Sequence, residues 1–157
     1  MSPPLATEIL DFAFENDKDM YRLALSAVAE AKRVRPVFME RKSRAERNKE
    51  IIAMLGMPRM EMAAANLLRG WLLRKHKQML IDFLDGLGVK HKEGVVDDLP
   101  KTVVDAKLKA SVENLLTKYK PEEVSVYLNA FQSMNDASWE NLKQMLESDA
   151  RLQLGGA

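Results

Sequence analysis

Apolar side chains recur at steps of three and four along most of this chain, which is the spacing that keeps them on one face of an α-helix. The segments 20–31 and 58–85 follow this spacing most clearly, and Trp71 falls in the apolar face of the second. Val95 and Val96 are typical of extended chain, but nothing nearby in the sequence supplies a sheet partner. The pattern therefore predicts an all-α protein in which 58–85 is one long helix with Trp71 buried.

Prolines and glycines mark where these helices begin and end. Pro36, Pro58 and Pro121 stand where a helix opens, because proline is favoured in the first turn and excluded from the interior. Gly56 supplies a stop, because glycine tolerates the left-handed conformation that closes helices. We expect about six to seven helices in a single domain, 1–157, arranged as a bundle or an orthogonal array, with a candidate subdomain boundary near 56–58.

Composition narrows the class of protein. Hydrophobic residues make up 46% of the chain and charged residues 30%, which are ordinary values for a globular protein. The formal net charge is only +1, so no overall field directs the chain toward nucleic acid. The absence of cysteine excludes disulfides, thiolate metal sites and cysteine nucleophiles. No apolar run approaches the ~20 residues that span a bilayer, and no signal-peptide pattern is visible, so we expect a soluble, cytoplasmic protein without a membrane partner.

One segment departs from this balance, because between residues 32 and 49 eight basic side chains stand against only Glu40 and Glu46. The basic side chains are Lys32, Arg33, Arg35, Arg41, Lys42, Arg44, Arg47 and Lys49. Such a run is typical of phosphate or nucleic-acid contact, of docking to an acidic protein, or of an ordinary solvated helix face. Phe38 is the only aromatic residue in the run, so a stacking platform for single strands is missing.

The same segment contains the least apolar of the predicted helices. Ala45 is the only apolar residue between Glu40 and Glu50, so apolar packing contributes little there. Short helices held mainly by intrinsic propensity are marginal in water, and regions with few buried contacts open at low free energy. We therefore expect 37–55 to be the most mobile or partner-dependent element. Ser43 and Glu46 have capping-box spacing, which favours a break near Ser43.

Candidate chemistry elsewhere is sparse. His76 continues the apolar face of the predicted helix 58–85, either as a hydrogen-bonded residue at the edge of the core or as a general base in a pocket. His91 lies in a glycine-flanked loop near Asp85, but two histidines without further ligands at zinc spacing fall short of a metal site. No phosphate-binding glycine loop or nucleophile elbow occurs. We therefore predict no catalytic residue, no metal and no cofactor.

The expected function is binding rather than catalysis. We expect a non-enzymatic, cytoplasmic helical protein that binds another protein or a second copy of itself. Nucleic-acid or phosphate binding through 32–49 is the first alternative, and an enzyme or small-ligand binder with a pocket near His76 is the second. The exposed surface distinguishes them, because cations gathered on one face favour nucleic acid, whereas an exposed apolar strip favours a protein partner.

Overall fold

Helices form 74% of the chain in the computed structural model, which describes residues 1–154. That part of the chain contains nine α-helices and no β-strand, so the predicted all-α class is confirmed. The helices are α1 (Pro3–Asn16), α2 (Lys18–Lys32), α3 (Pro36–Glu40), α4 (Arg44–Met54), α5 (Glu61–Lys75), α6 (Lys77–Leu87), α7 (Asp105–Lys118), α8 (Pro121–Met134) and α9 (Glu140–Ser148). Short 3-10 turns occupy Pro58–Met60 and Ala150–Leu152.

Two of the predicted helices are each divided, which accounts for the larger number observed. The prediction of one unbroken helix over 58–85 is wrong, because α5 ends at Lys75 and α6 begins at Lys77. Between them His76 has φ −113° and ψ 24°, and its carbonyl oxygen accepts the first amide hydrogen bonds of α6. His76 is therefore the N-cap of α6 rather than a member of a continuous apolar face. Trp71 in α5 is fully buried, as predicted.

The segment 37–55 divides at the point that its capping-box spacing marks. α3 ends at Glu40 and α4 begins at Arg44, with Ser43 as the N-cap. The Ser43 hydroxyl accepts a hydrogen bond from the Glu46 amide at 3.2 Å, and the Glu46 carboxylate accepts one from the Ser43 amide at 2.9 Å. The Ser43 amide and, at 2.9 Å, the Ser43 hydroxyl both donate to the Glu46 carboxylate, and because these two hydrogen bonds favour its charged form they hold the pKa of Glu46 below its ordinary value.

The described chain forms two compact units, Ser2–Lys75 and 76–154, which we call the first unit and the second unit. The division falls at His76, the same residue that interrupts the predicted long helix. The turn at Gly56, near which the sequence suggested a boundary, lies inside the first unit. That the whole chain folds as one cooperative domain stays a prediction.

The first unit is built on α1, α2 and α5, which pack against one another. α4 packs against α1 and α2, and α3 packs against α2. Leu10, Val28 and Trp71 each contribute a fully buried side chain, and Ile51 contributes another from α4. The helices that carry the basic segment are therefore attached to an apolar core on one side and face solvent on the other.

The second unit holds an aromatic core around α8, which packs against α7, α9 and the last 3-10 turn. The ring of Phe83 in α6 lies 5.6 Å from the ring of Tyr127 and 5.3 Å from that of Phe131 in α8, both edge to face. The ring of Trp139 lies 5.4 Å from that of Phe131. Such pairs add a specific geometry to the burial of apolar surface.

The helices are short, and the longest, α2 and α5, have 15 residues each. In the described chain no single helix is long and apolar enough to cross a membrane. Arg44–Met54 and Pro58–Lys75, bent by 119°, meet the criteria of length and composition only when the two arms are taken together.

Candidate functional site

The eight cations of the basic segment do not share one face. Lys32 and Arg33 lie at the end of α2, and Arg35 lies in the link to α3. Arg41 and Lys42 follow α3. The remaining three, Arg44, Arg47 and Lys49, lie on α4. The structure separates them further by what each side chain contacts.

Two of the lysines are engaged within the first unit. Lys32 and Lys42 both form ion pairs with the carboxylate of Glu50, whose side chain is mostly shielded from solvent. The distance from Lys42 Nζ to Glu50 Oε1 is 2.7 Å. Glu50 therefore joins the end of α2 and the α3–α4 link to α4, and these two lysines serve the fold.

Arg44 is also engaged, in this case with α1. Its guanidinium lies 3.4 Å from the Asp11 carboxylate and 3.5 Å from that of Glu15. It also lies 5.0 Å from the ring centroid of Phe14, within the range of a cation–π contact. Arg44 is thus committed to holding α4 against α1.

A buried polar network completes the attachment of α4 to its neighbours. The Tyr21 hydroxyl donates to Asn48 Oδ1 at 2.7 Å, and Asn48 Nδ2 donates to Asp11 Oδ1 at 2.8 Å. Burial raises the pKa of Tyr21 above its ordinary value, with the nearby Arg47 opposing the shift, so the hydroxyl stays protonated as a donor. Asn48 is buried whereas Ala45 is exposed, so the middle of this helix is attached through a polar side chain and not through Ala45.

Arg47 lies at a cleft of about 340 Å³ in the first unit. Its guanidinium is 5.5 Å from the ring centroid of Phe14 and 5.7 Å from that of Tyr21. Its Nε is hidden from solvent and makes no hydrogen bond to the described residues. Lys18 and Arg22 of α2 also line the cleft, together with one carboxylate, Glu40.

Four cations of the basic segment remain: Lys49 is exposed on α4, whereas Arg33, Arg35 and Arg41 cluster in sequence where α2 meets α3. None of the three forms an ion pair within the described residues. They alternate with apolar side chains that are also exposed: Val34, Val37 and Phe38, of which Phe38 is 54% exposed. We call residues 33–38 together with Arg41 the basic–apolar corner.

The corner has a defined conformation. Met39 is buried and attaches α3 to the unit, whereas every other residue from 32 to 41 is exposed. The guanidinium of Arg41 lies 6.0 Å from the ring centroid of Phe38, at the outer limit of a cation–π contact. Arg33 has φ 56°, in the left-handed region that side chains other than glycine rarely adopt. A strained residue of this kind is often found at binding sites.

The two histidines of the second unit occupy unlike settings. His76 is half-buried. It lines neither the cleft at Arg47 nor a smaller cleft beside Trp71, both of which belong to the first unit. His91 accepts a hydrogen bond at Nδ1 from the Gly94 amide at 3.0 Å, so its proton lies on Nε2, which contacts Asp85 at 2.7 Å. Both nitrogens of His91 are therefore already engaged.

Comparison of the chain with protein-family models, characterised proteins and solved structures finds no match. The function therefore has to be argued from the side chains of this chain. Sequence reasoning missed the cleft residues Phe14, Lys18 and Arg22. The spacing of Lys18, Arg22 and Leu25 places them on one face of α2, and that was the available signal.

Proposed function

We propose that this chain is a protein-binding module whose basic–apolar corner docks an acidic segment of another protein. The observation that carries the proposal is the alternation of three exposed apolar side chains with three arginines that form no ion pair within the described residues. Protein interfaces are enriched in aromatic residues and arginine relative to the rest of the surface. Phe38 supplies the apolar anchor, and the arginines select a negatively charged partner.

Nucleic acid is the weaker candidate because the cations are dispersed. Lys32, Lys42 and Arg44 are engaged with carboxylates of the same unit. A phosphate backbone is bound by many cations at regular spacing, whereas the corner offers three within nine residues, interrupted by apolar side chains. That arrangement favours a short segment carrying both carboxylates and apolar groups.

Selection from a random peptide library displayed on phage, with the full chain as bait, tests the specificity. We expect the selected peptides to combine Asp or Glu with Leu, Phe or Trp. Fluorescence anisotropy of a selected peptide then gives its Kd. Replacing Phe38 by Ala or Arg35 by Glu should weaken binding by at least about tenfold, which corresponds to ~1.4 kcal/mol.

Two matched controls separate the corner from the general surface. Lys49→Glu reverses an exposed cation of the same basic segment outside the corner. Met62→Ala removes a side chain that is 77% exposed and lies on α5. Both should leave peptide binding unchanged. The proposal would be contradicted if Lys49→Glu and Arg35→Glu lost the same amount of peptide affinity, or if the selected peptides were not enriched in Asp or Glu.

The same binding measurements also test nucleic acid and a second copy of the chain as alternative partners. A labelled DNA duplex and a single-stranded RNA, bound more tightly than the peptide at physiological salt, would assign the corner to nucleic acid. Concentration-dependent sedimentation that Phe38→Ala abolishes would identify a second copy of the chain as the partner. We propose that this binding takes place in the cytoplasm, because a chain without cysteine forms no disulfide and so needs no oxidising compartment.

A further inference from the structure

The cleft beside Arg47 is separate from the basic–apolar corner and has a different chemistry. Its volume of about 340 Å³ falls at the lower end of the roughly 300–1,000 Å³ typical of small-molecule sites. Phe14 and Tyr21 provide aromatic surface, and Lys18, Arg22 and Arg47 provide positive charge. A cleft of this kind suits a small molecule that carries both an anionic group and an apolar group.

Arg47 is the central cation. Its guanidinium packs on two rings, which fixes its plane and reduces the conformational freedom that binding would otherwise cost. Its Nε is buried without a hydrogen-bond acceptor among the described residues. A buried donor left unpaired is costly, and each such group in a native structure calls for an explanation. Arg47 also lines the cleft, where an anionic ligand can accept hydrogen bonds from its guanidinium.

Lys18 and Arg22 extend the positive charge along α2. They lie four residues apart, so they project from the same face of the helix. Neither forms an ion pair within the described residues, and neither is neutralised by Glu40 across the cleft. Three cations against one carboxylate leave the lining with a net charge of two positives.

This charge selects among anions. A phosphate monoester carries about −1.5 to −2 at neutral pH and presents three acceptor oxygens, whereas a carboxylate carries a single charge. Arginine forks match phosphate oxygens in geometry as well as in charge. The Tyr21 hydroxyl is not available as a donor to the ligand, because its hydrogen is already donated to Asn48.

We propose that the cleft binds a phosphate monoester with a small apolar or aromatic group, held by Arg47, Arg22 and Lys18 with the organic group against Phe14. The phosphate can belong to a free metabolite or to a phosphorylated side chain of a peptide, and the chemistry of recognition is the same. The inference does not depend on the basic–apolar corner, because the two share no residue.

Titration of the ¹⁵N-labelled full chain followed by NMR is the direct test. The probes are phenyl phosphate, inorganic phosphate, benzoate and phenol, together with a tyrosine-phosphorylated peptide and its unphosphorylated form. We expect phenyl phosphate to shift the Arg47 Nε–H signal and the amides of Phe14 and Arg22. Phenyl phosphate should bind more tightly than benzoate or phenol. The free ester and the peptide distinguish the two sources of phosphate.

Variants locate the site. Lys18→Gln and Arg22→Gln change exposed side chains, so a variant that carries both should fold normally. It should bind phenyl phosphate at least about tenfold more weakly. Arg47→Lys retains the charge but loses the fork and the buried Nε–H, and should also weaken binding. Arg69→Gln, an exposed arginine of α5 outside the cleft, is the matched control and should have no effect.

Three results would overturn the inference. The first is the absence of any shift at about 10 mM phenyl phosphate, because a weaker Kd than that is no specific site. The second is equal binding of phenol, which would mean an apolar cleft without phosphate recognition. The third is an effect of Arg69→Gln as large as that of Arg22→Gln. Arg35→Glu and Phe38→Ala should leave phenyl phosphate binding unchanged, so failure at the corner and failure at the cleft can be told apart.

Discussion

The C-terminal ends of α2 and α6 close with the same hydrogen bonds but use different residues. In each, the residue after the left-handed position donates its amide hydrogen to the carbonyl five residues earlier, at 2.9 Å in α2 and 3.0 Å in α6. In α6 the left-handed residue is Gly88, with φ 70°, whereas in α2 it is Arg33, with φ 56°. Glycine is the usual choice, because a side chain is strained in this conformation.

The residues that follow these two caps also differ. Val89 after Gly88 is 8% exposed and packs into the second unit, as is usual for an apolar residue at that position. Val34 after Arg33 is 40% exposed. The end of α6 is therefore arranged for stability, whereas the end of α2 gives up both the glycine and the apolar contact. Sites used for binding commonly make that exchange, which supports the proposed role of the corner.

The apolar cores of the two units should contribute similarly to stability, unlike the two helix ends. Truncating a buried core side chain should have the largest effect on the free energy of unfolding. Trp71→Ala in the first unit and Phe83→Ala in the second each remove a fully buried aromatic side chain. Each should cost about 3–5 kcal/mol in the free energy of unfolding, measured by chemical denaturation. If the chain is one cooperative domain, both changes shift a single transition. Two separate transitions, each sensitive to one substitution, would mean that the units unfold independently.

The next effect concerns the polar network that attaches α4 to its neighbours in the first unit. Asn48→Ala leaves the Tyr21 hydroxyl without its acceptor and removes one hydrogen bond from the Asp11 carboxylate, which keeps its ion pair with Arg44, so it should cost about 1–3 kcal/mol. Lys49→Ala, its exposed neighbour, should change stability by no more than about 0.5 kcal/mol. Additive effects of Asn48→Ala and Tyr21→Phe would show that the hydrogen bond between them contributes nothing.

Hydrogen exchange gives a second measure of the same region. The expectation that 37–55 opens most easily remains a prediction, and the polar network is what opposes it. Amides of α4 that exchange as slowly as those of α5 would assign α4 to the rigid part of the unit. Faster exchange in Asn48→Ala than in the unaltered chain would identify the network as the cause.

The apolar periodicity of the sequence was sufficient for the helical class but not for the orientation of α2. Within the predicted apolar segment 20–31, a step of three from Met20 leads to Leu23, yet Leu23 is 57% exposed, and the buried residues include Tyr21, Leu25 and Val28. Steps of three and four fit more than one face when alanines are interspersed. Tyr21 was overlooked because its burial depends on a hydrogen-bond partner 27 residues away, which local spacing does not reveal.

The candidate site was located less well than the fold, for a related reason. The count of cations between 32 and 49 marked the segment that contains the basic–apolar corner, but the ion pairs to Glu50 and Asp11 depend on tertiary structure. The His76 position fitted a helical pattern, and only the structure shows that the helix ends beside it. Charge content is visible in a sequence, whereas the choice between internal pairing and free surface is not.

A smaller effect is the pH dependence of the second unit through Asp82. Burial raises the pKa of this carboxyl, but hydrogen bonds from Gln78, Tyr119 and Lys118 outweigh burial and leave the pKa below its ordinary value. The stabilisation is therefore present above the unfolded pKa and is lost as the pH falls through the folded one. Asp82→Asn should flatten the acid limb of a plot of unfolding free energy against pH. An unchanged acid limb would exclude Asp82 as its source.

The hydroxyl partner of Asp82 gives the opposite sign at alkaline pH. Burial and the hydrogen bond to the carboxylate raise the pKa of Tyr119 to about 12. The folded state therefore keeps a proton that the unfolded chain releases near pH 10, and stability should fall between about pH 10 and about pH 12. Tyr119→Phe should remove that part of the alkaline loss, as measured by chemical denaturation across this range.

The smallest effect bears most directly on the comparison of the two caps. Arg33→Gly relieves the strain of a side chain on a left-handed backbone, which should stabilise the fold by roughly 1–2 kcal/mol. The greater entropy of glycine in the unfolded chain should offset about 0.4–1 kcal/mol of that gain. The net result should be a stabilisation of roughly 0 to 1.6 kcal/mol, together with weaker binding of the selected acidic peptide. Gly88→Ala should do the reverse to stability, without any effect on that peptide. A variant that gains stability while it loses affinity would explain why arginine occupies a position that suits glycine. If Arg33→Gly instead lowers stability, or leaves peptide binding intact, the difference between the two caps has no connection with binding.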